Sequence, residues 1–226
     1  MFQSLLHLFY PNLCVTCNKS LVGAEKHICL GCRLKLPETN FHLEIENKVE
    51  KTFWGRIPVE RAFAFLYFNK AGLTQQLLHQ LKYKGNEELA DFLGVIYGER
   101  LLKTVENHKI DAIVAVPLHS SKQRKRGYNQ SLAFANGLAK TLKLENYSNV
   151  IVRKKATETQ TKKTRLERWQ NVNSIFEVLE PERLKNKHLL LVDDVITTGA
   201  TLESCAKAIQ YQSNCLVSIA SIAYAN

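Results

Sequence analysis

The sequence predicts an α/β protein, a mainly parallel sheet with helices on both faces, preceded by a small module built around four cysteines. Short β-branched runs such as IDAIVAVP (110–117) and HLLLV (188–192) alternate with longer segments whose apolar residues recur every three or four positions, as expected of buried strands joined by helices. The 226 residues, 45% of them hydrophobic, suffice for one full-sized core plus an appendage too small to bury a core alone. Four of the six cysteines, Cys14, Cys17, Cys29 and Cys32, fall in two tight pairs near the start, while Cys205 and Cys215 stand in core-like segments.

In chain order, residues 1–58 lack regular periodicity and run out through a polar stretch from Pro37 to Pro58. The boundary is therefore placed near Pro58, with a cysteine module and linker at 1–58 and the main domain at 59–226. VERAFAFLYF (59–68) alternates and is rich in aromatics, a strand; LTQQLLHQLKY (73–83) and EELADFLGVIYGERLLKTV (87–105) have helical spacing. IDAIVAVP is a strand stopped by proline, HSSKQRKRG (119–127) a basic loop, and YNQSLAFANGLAKTL (128–142) an amphipathic helix. NVIVR (149–153) and SIFEV (174–178) read as strands flanking a polar stretch from Lys154 to Asn173, of a length that inside compact domains usually means a functional lid or disorder. The strand HLLLVDDVI, a helix through Gln210 and the strand CLVSIASIAY (215–224) complete the domain.

No run approaches the roughly 18 apolar residues of a membrane helix, and the opening residues lack a basic stretch and a small-residue cleavage site. The expectation is a soluble, cytoplasmic protein without membrane insertion. The formal net charge is +10; residues 117–187 hold sixteen Lys and Arg against six acids, an excess equal to that of the whole chain.

The chemistry concentrates in LLLVDDVITTGAT (189–201). An apolar strand ends in Asp193 and Asp194, then turns through hydroxyls and a glycine into a helix. A helix start of this kind offers unpaired backbone N–H groups and a positive dipole end, to which Thr197, Thr198 and Thr201 add hydroxyls around Gly199 and Ala200, together a site for one phosphate. The adjacent carboxylates can accept hydrogen bonds from vicinal hydroxyls or organise a hydrated magnesium ion. The competing readings are aspartates that only cap the next helix, or the acidic strand of a nucleotide hydrolase. The hydrolase needs a GxxxxGK[ST] loop, and the chain has none.

A second cluster, VPLHSSKQRKRGYNQS (116–131), places Lys122, Arg124, Lys125 and Arg126 after another strand, where they can clamp a pyrophosphate or face solvent. The third signal is Cys14-x2-Cys17 and, after eleven residues, Cys29-x2-Cys32, two knuckles able to close a tetrahedron around zinc. Four thiolates leave no open position, so such a zinc is structural. His7 and His27 are read as bystanders.

Segment 189–201 resembles the phosphoribosyl pyrophosphate signature of the type I phosphoribosyltransferases. Taken with LHQLKYKGN (78–86), RGYNQ (126–130) and TETQTKKTRLERWQNVNSIF (157–176), essentially the whole chain is similar to the ComF family, competence-associated phosphoribosyltransferase-like proteins with an N-terminal zinc finger. The resemblance implies a type I phosphoribosyltransferase fold, with phosphoribosyl pyrophosphate bound together with magnesium and the acid pair Asp193 and Asp194 as catalytic residues. It implies Thr197, Thr198, Gly199, Ala200 and Thr201 at the 5-phosphate and Lys82, Arg126, Asn129 and Gln130 on the pyrophosphate side. Thr157, Gln160, Arg168 and Asn171, with Phe176 following, would belong to a flexible loop that closes over substrate.

The expected reaction displaces pyrophosphate from the anomeric carbon in favour of a nitrogen acceptor. The hypoxanthine enzymes would place an aspartate base at Thr197, so purine salvage is disfavoured and the acceptor is unidentified. The rival reading is a non-catalytic factor in DNA uptake that binds single-stranded DNA and uses the sugar-phosphate site as a ligand or sensor site, with DNA-uptake proteins as partners. In it the basic residues of 117–187 would follow a phosphate backbone while Tyr128, Tyr147 and Trp169 stack bases.

Overall fold

A computed structural model describes residues 11–154 and 175–225. Its strands are β1 (Ala62–Tyr67), β2 (Ala112–Ala115), β3 (Glu145–Asn146), β4 (Ile151–Arg153), β5 (Phe176–Val178), β6 (His188–Ile196) and β7 (Leu216–Tyr224). Its helices are α1 (Leu30–Arg33), α2 (Lys48–Phe53), α3 (Leu73–Tyr83), α4 (Glu87–Asn107), α5 (Ser120–Arg126), α6 (Gln130–Leu142), α7 (Pro181–Leu184) and α8 (Ala200–Ser213).

Five strands form one sheet in the order β1-β7-β6-β2-β3, with every neighbouring pair parallel. β4 and β5 pair antiparallel as a separate ribbon. The continuous apolar runs behave as parallel strands should: Leu189 to Val192 and Ala112 to Val114 are fully buried.

The connections run from β2 through α6 outward to β3, and from β6 through α8 the other way to β7. Right-handed crossovers in opposite directions put α6 and α8 on opposite faces of the sheet. They also make the β2/β6 boundary the point where strand order reverses, and a crevice opens there at the carboxyl ends. Pairing ends at Ala115 opposite Val192, so Asp193 and Asp194 are the next two residues of β6 beyond its ladder with β2.

Helices α4 and α6 cross at backbone contact. A methyl on Gly94 would collide with the Phe134 carbonyl, and one on Gly137 with the Asp91 carbonyl. Tyr97 sits in the same layer, stacked on Phe65 and Phe134 with ring centroids 4.8 and 6.3 Å away. The register of α6 on α4 thereby fixes where α6 begins, one residue after Asn129.

The stretch 37–58, read as a polar linker, is packed against the main sheet. Phe41, Val49 and Phe53 are almost wholly buried and join the common core. Asn47 organises it: the side chain caps α2 in a reciprocal capping box with Glu50 and donates to the carbonyls of Phe41 and Ala62, at 3.1 and 2.9 Å. Glu50 also pairs with Arg61 at 2.6 Å, and Thr39 and Tyr67 exchange backbone bonds with Phe65 and Pro37. The Asn-x-x-Glu spacing at 47 and 50 is the local signal for this helix, and it lies in a stretch with little apolar periodicity around it.

HSSKQRKRG also differs from its expected loop form, since Ser120–Arg126 is helical. None of its residues is buried, so no apolar stripe announces it; the His119 side chain caps its start and Gly127, at φ 83°, ends it.

Gly137→Ala is expected to destabilise the protein by about 2 kcal/mol or more, because both helix backbones must move apart to admit the methyl. A lowered urea midpoint with an unchanged denaturant slope would bear this out; an unchanged midpoint would mean that the helices separate freely.

Candidate functional site

The crevice between β2 and β6 holds the acid pair. The Asp193 carboxylate accepts from the Ser131 hydroxyl at 2.9 Å and from the Asp194 N–H at 2.8 Å. The Asp194 carboxylate faces two cations, Lys82 Nζ at 3.3 Å and Arg126 Nη1 at 3.9 Å. Each partner comes from a different element. Lys82 is in the last turn of α3, Arg126 in the last turn of α5 and Ser131 in the first turn of α6. Burial, and then the charge of Asp194, pushes the Asp193 carboxyl up to about 7 against the hydrogen bonds that favour its charged form.

Arg126 is held in turn by Gln130, whose side-chain oxygen accepts from Nη1 at 2.7 Å. Gln130 is only 1% exposed and points its amide nitrogen at the carbonyls of Leu81 and Tyr128. Asn129 caps α6, accepting from the Ser131 N–H at 3.1 Å and donating to the Val116 carbonyl at 3.0 Å. Of the four residues expected on the pyrophosphate side, Lys82 and Arg126 present charge to the crevice, while Asn129 and Gln130 engage their amides within the protein. The backbone explains the difference, since the first residues of a helix are where a side-chain amide is drawn to cap or to pack. Lys122, Arg124 and Lys125 stand exposed on α5, turned to solvent on a helix without a buried face.

After β6 the chain turns at Thr197 and Thr198, both exposed, through Gly199 at φ 72° into α8. Ala200 and Thr201 form its exposed first turn. The cap residue Gly199 brings no side chain, the Thr198 hydroxyl accepts from the Ala200 N–H at a long 3.5 Å, and the N–H of Gly199 has no protein partner among the described residues. Beside the loop lies a cleft of about 290 Å³ bounded by Phe68, His79, Lys82, Tyr83, Val195 and Thr197. Thr157, Gln160, Arg168 and Asn171 lie outside the described residues. Phe176 lies in β5 and is buried.

Two contributors, Ser131 and Arg56, carry no role in the sequence reading, and a third, Tyr128, has a different one from the stacking expected of it. Ser131 stands next to the RGYNQ residues in the chain and carries a hydroxyl suited to an aspartate, a signal that was available. Tyr128 donates its phenol to the Leu81 carbonyl at 2.8 Å, joining α3 to α6 beneath Lys82. Arg56 donates to the Thr198 carbonyl at 2.7 Å from the segment before β1, and nothing local in the sequence announces that contact.

The aromatics expected to stack bases are differently placed. Tyr128 is buried with its phenol engaged, and Tyr147 is 7% exposed with Arg183 and Lys187 over its ring at 4.2 and 5.7 Å. Trp169 lies outside the described residues. Two of the three rings are therefore occupied by the protein, and the described part of the basic region offers a polyanion charge and not stacking.

The sulfurs of Cys14, Cys17, Cys29 and Cys32 all lie within 4.8 Å of one another, with Cys17 and Cys29 at 3.7 Å. Four thiolates about 2.3 Å from a tetrahedral ion would be spaced at about 3.8 Å, so the arrangement can hold a structural metal such as zinc. The thiol of Cys14 is buried, which raises it, but hydrogen bonds from Thr16 and from nearby backbone groups outweigh burial and bring it down to about 6. Cys32 also meets Thr16, yet burial and the three other thiols push it up to about 12. Four sulfurs this close cannot all ionise without a cation among them. His27 packs on Phe92 and is not part of the cluster.

A family profile described as "Phosphoribosyl transferase domain" matches residues 128–226. The chain is 29% identical over 206 residues to the "DNA utilization protein YhgH" of Escherichia coli (strain K12), covering 89% of this chain and 86% of that protein. It is 36% identical over 101 residues to "Competence protein F" of Haemophilus influenzae, covering 44% of each. It is 26% identical over 211 residues to "Competence protein ComFC" of Bacillus subtilis, covering 90% of this chain and 81% of that one.

The Asp193 geometry sets a pH dependence. Its carboxyl titrates near 7 in the fold and at about 4 in an unfolded chain, so the folded state keeps a proton that the unfolded state has released. That contribution is fully present below about pH 4 and is lost as pH rises through about 7. Without ligand, wild type should lose stability relative to Asp193→Asn between about pH 4 and 7, read as diverging melting temperatures. Parallel pH profiles for the two proteins would show that Asp193 is already ionised at acid pH.

Proposed function

Because the chain belongs to the ComF family of phosphoribosyltransferase-like proteins, we propose that it binds phosphoribosyl pyrophosphate with magnesium in the β2/β6 crevice and transfers the phosphoribosyl group to a nitrogen acceptor. The observation that carries this reading is the convergence of a half-buried acid pair, two cations and a helix start with an unpartnered Gly199 N–H, among the described residues, at one strand end. A diol, a pyrophosphate and a phosphate, all carried by one small sugar, match those three features in turn.

In this reading the loop from Thr197 to Thr201 holds the 5-phosphate on backbone N–H groups and hydroxyls. Asp193 and Asp194 accept hydrogen bonds from the ribose hydroxyls and steady positive charge developing at the anomeric carbon. Lys82 and Arg126 bind the departing pyrophosphate, with Gln130 holding Arg126 and Asn129 holding the start of α6. The crevice suits magnesium because it offers two adjacent carboxyl groups as oxygen ligands, and a cation beside them would oppose the burial and the Asp194 charge that hold the Asp193 carboxyl up. Magnesium bound with the pyrophosphate supplies neutralisation of the leaving group. The acceptor would occupy the cleft bounded by Phe68, His79, Tyr83 and Val195, which borders both Lys82 and Thr197. The four-cysteine centre holds zinc.

A second reading has its own support. Helix α5 exposes Lys122, Arg124 and Lys125 beside the crevice, and relatives are named for DNA utilization and competence. On that reading the protein handles single-stranded DNA in uptake, and the sugar-phosphate site is a ligand site without turnover.

Calorimetric titration of zinc-loaded protein with phosphoribosyl pyrophosphate and magnesium is the deciding measurement. Wild type should bind, and Asp193→Asn/Asp194→Asn should bind at least roughly 100-fold more weakly. Absence of binding by folded wild type would overturn the reading. A single-stranded oligonucleotide bound with an affinity that falls steeply with salt would then favour the second.

A further inference from the structure

The loop that ends β6 is braced from behind by residues that precede the first strand of the sheet. Arg56 places its whole guanidinium there. Nη1 donates to the Thr198 carbonyl at 2.7 Å and to the Thr52 carbonyl at 2.9 Å; Nε donates to Glu203 at 2.9 Å, and Nη2 donates to the same carboxylate. Phe53, 1% exposed, fills the space behind Gly199: a Cβ there would stand 2.8 Å from the Phe53 ring and 3.2 Å from the Thr52 methyl.

We infer that Arg56 and Phe53 are positioning residues of the phosphate loop, fixing its backbone so that its N–H groups face the ligand and setting the affinity for a phosphomonoester. The inference rests on the sugar-phosphate reading given above and names residues outside its motifs that make it work.

The argument begins with the peptide unit. In a trans peptide the carbonyl and the following N–H point in opposite directions. Binding the Thr198 carbonyl to Arg56 therefore turns the Gly199 N–H away from Arg56, and that N–H has no partner among the described residues. The left-handed φ of Gly199, 72°, completes the turn, and Phe53 leaves no room for a side chain there. Conformation and ligand-facing donor are thus both set from the far side of the loop.

The charge arrangement points the same way. Glu203 lies in the first turn of α8, where its carboxylate would oppose an incoming phosphate. Arg56 and Lys207 hold that carboxylate, Lys207 at 2.6 Å. Loss of Arg56 would free the loop peptide and leave Glu203 with one cation fewer.

Lysine is not an equivalent here. A single ammonium cannot reach two carbonyls and a carboxylate arranged around a planar fork.

The test separates the two ends of the proposed ligand. Ribose 5-phosphate probes the loop and the acid pair, and magnesium pyrophosphate probes Lys82 and Arg126. Arg56→Ala should weaken ribose 5-phosphate about tenfold and leave magnesium pyrophosphate unchanged, and Arg56→Lys should rescue little of the loss. Phe53→Leu keeps the segment apolar, removes the ring edge behind Gly199 and should weaken the same probe in the same direction; it decides the matter should Arg56→Ala fail to fold. A purely structural role would lower the melting temperature and leave both affinities of the folded protein unchanged, and that result would overturn the inference while the sugar-phosphate reading stood. Wild type that binds neither probe would overturn both.

Discussion

Two adjacent carboxylates at the end of a strand buried along its length are an electrostatic liability that the surrounding elements answer one by one. Charged groups leave water only when paired, and like charges side by side resist ionising together. Asp194 meets Lys82 and Arg126, and Asp193 meets a hydroxyl and a backbone N–H. The placement of α3, α5 and α6 follows from this. Tyr128 ties α6 to the end of α3, Gln130 holds Arg126 over the pair, and the glycine crossing of α4 on α6 fixes the start of α6 and with it Ser131. The strand reversal at β2/β6 opens the crevice, and the side chains from these helices make it polar.

What could be read from sequence was local. HLLLVDDVITTGAT announces a buried strand, an acid pair and a glycine turn within a dozen or so residues, and all three stand where the spacing predicts. The cysteine pairs are equally local, and their sulfurs do meet. What could not be read depends on distant partners. Arg56 meets Thr198 across 142 positions of the chain, and Phe53 packs behind Gly199 from a stretch without periodicity. RGYNQ was legible as a motif, but not the direction of each amide. Gln130 packs inward because α3, from 49 residues earlier, presents the Leu81 carbonyl to it, whereas Asn129 is turned by the Val116 carbonyl at the end of β2.

The basic stretch shows why a charge count says little about a surface. The excess within 117–187 divides among different duties in the described residues: Arg126 neutralises Asp194, Arg153 lies over Phe176, and Arg183 covers Tyr147. Lys122, Arg124 and Lys125 differ because their helix buries nothing. Its caps hold it in shape and leave the three side chains to solvent, so on this face the charge is free to meet a partner.

On the proposed reading, the same pairing that stabilises the crevice governs how it binds. Lys82 and Arg126 can turn to a pyrophosphate only if Asp194 is offered another cation, since leaving its half-buried carboxylate unpaired offsets the new contacts. Pyrophosphate arriving with a divalent ion meets that condition, and pyrophosphate alone does not. Asp193, held near 7 by burial and by its neighbour, loses its proton more readily once a cation stands beside the pair. Ligand binding in this crevice is then an exchange of partners among charges that are already paired, and selectivity for the metal-bound form arises from the protein's own carboxylates.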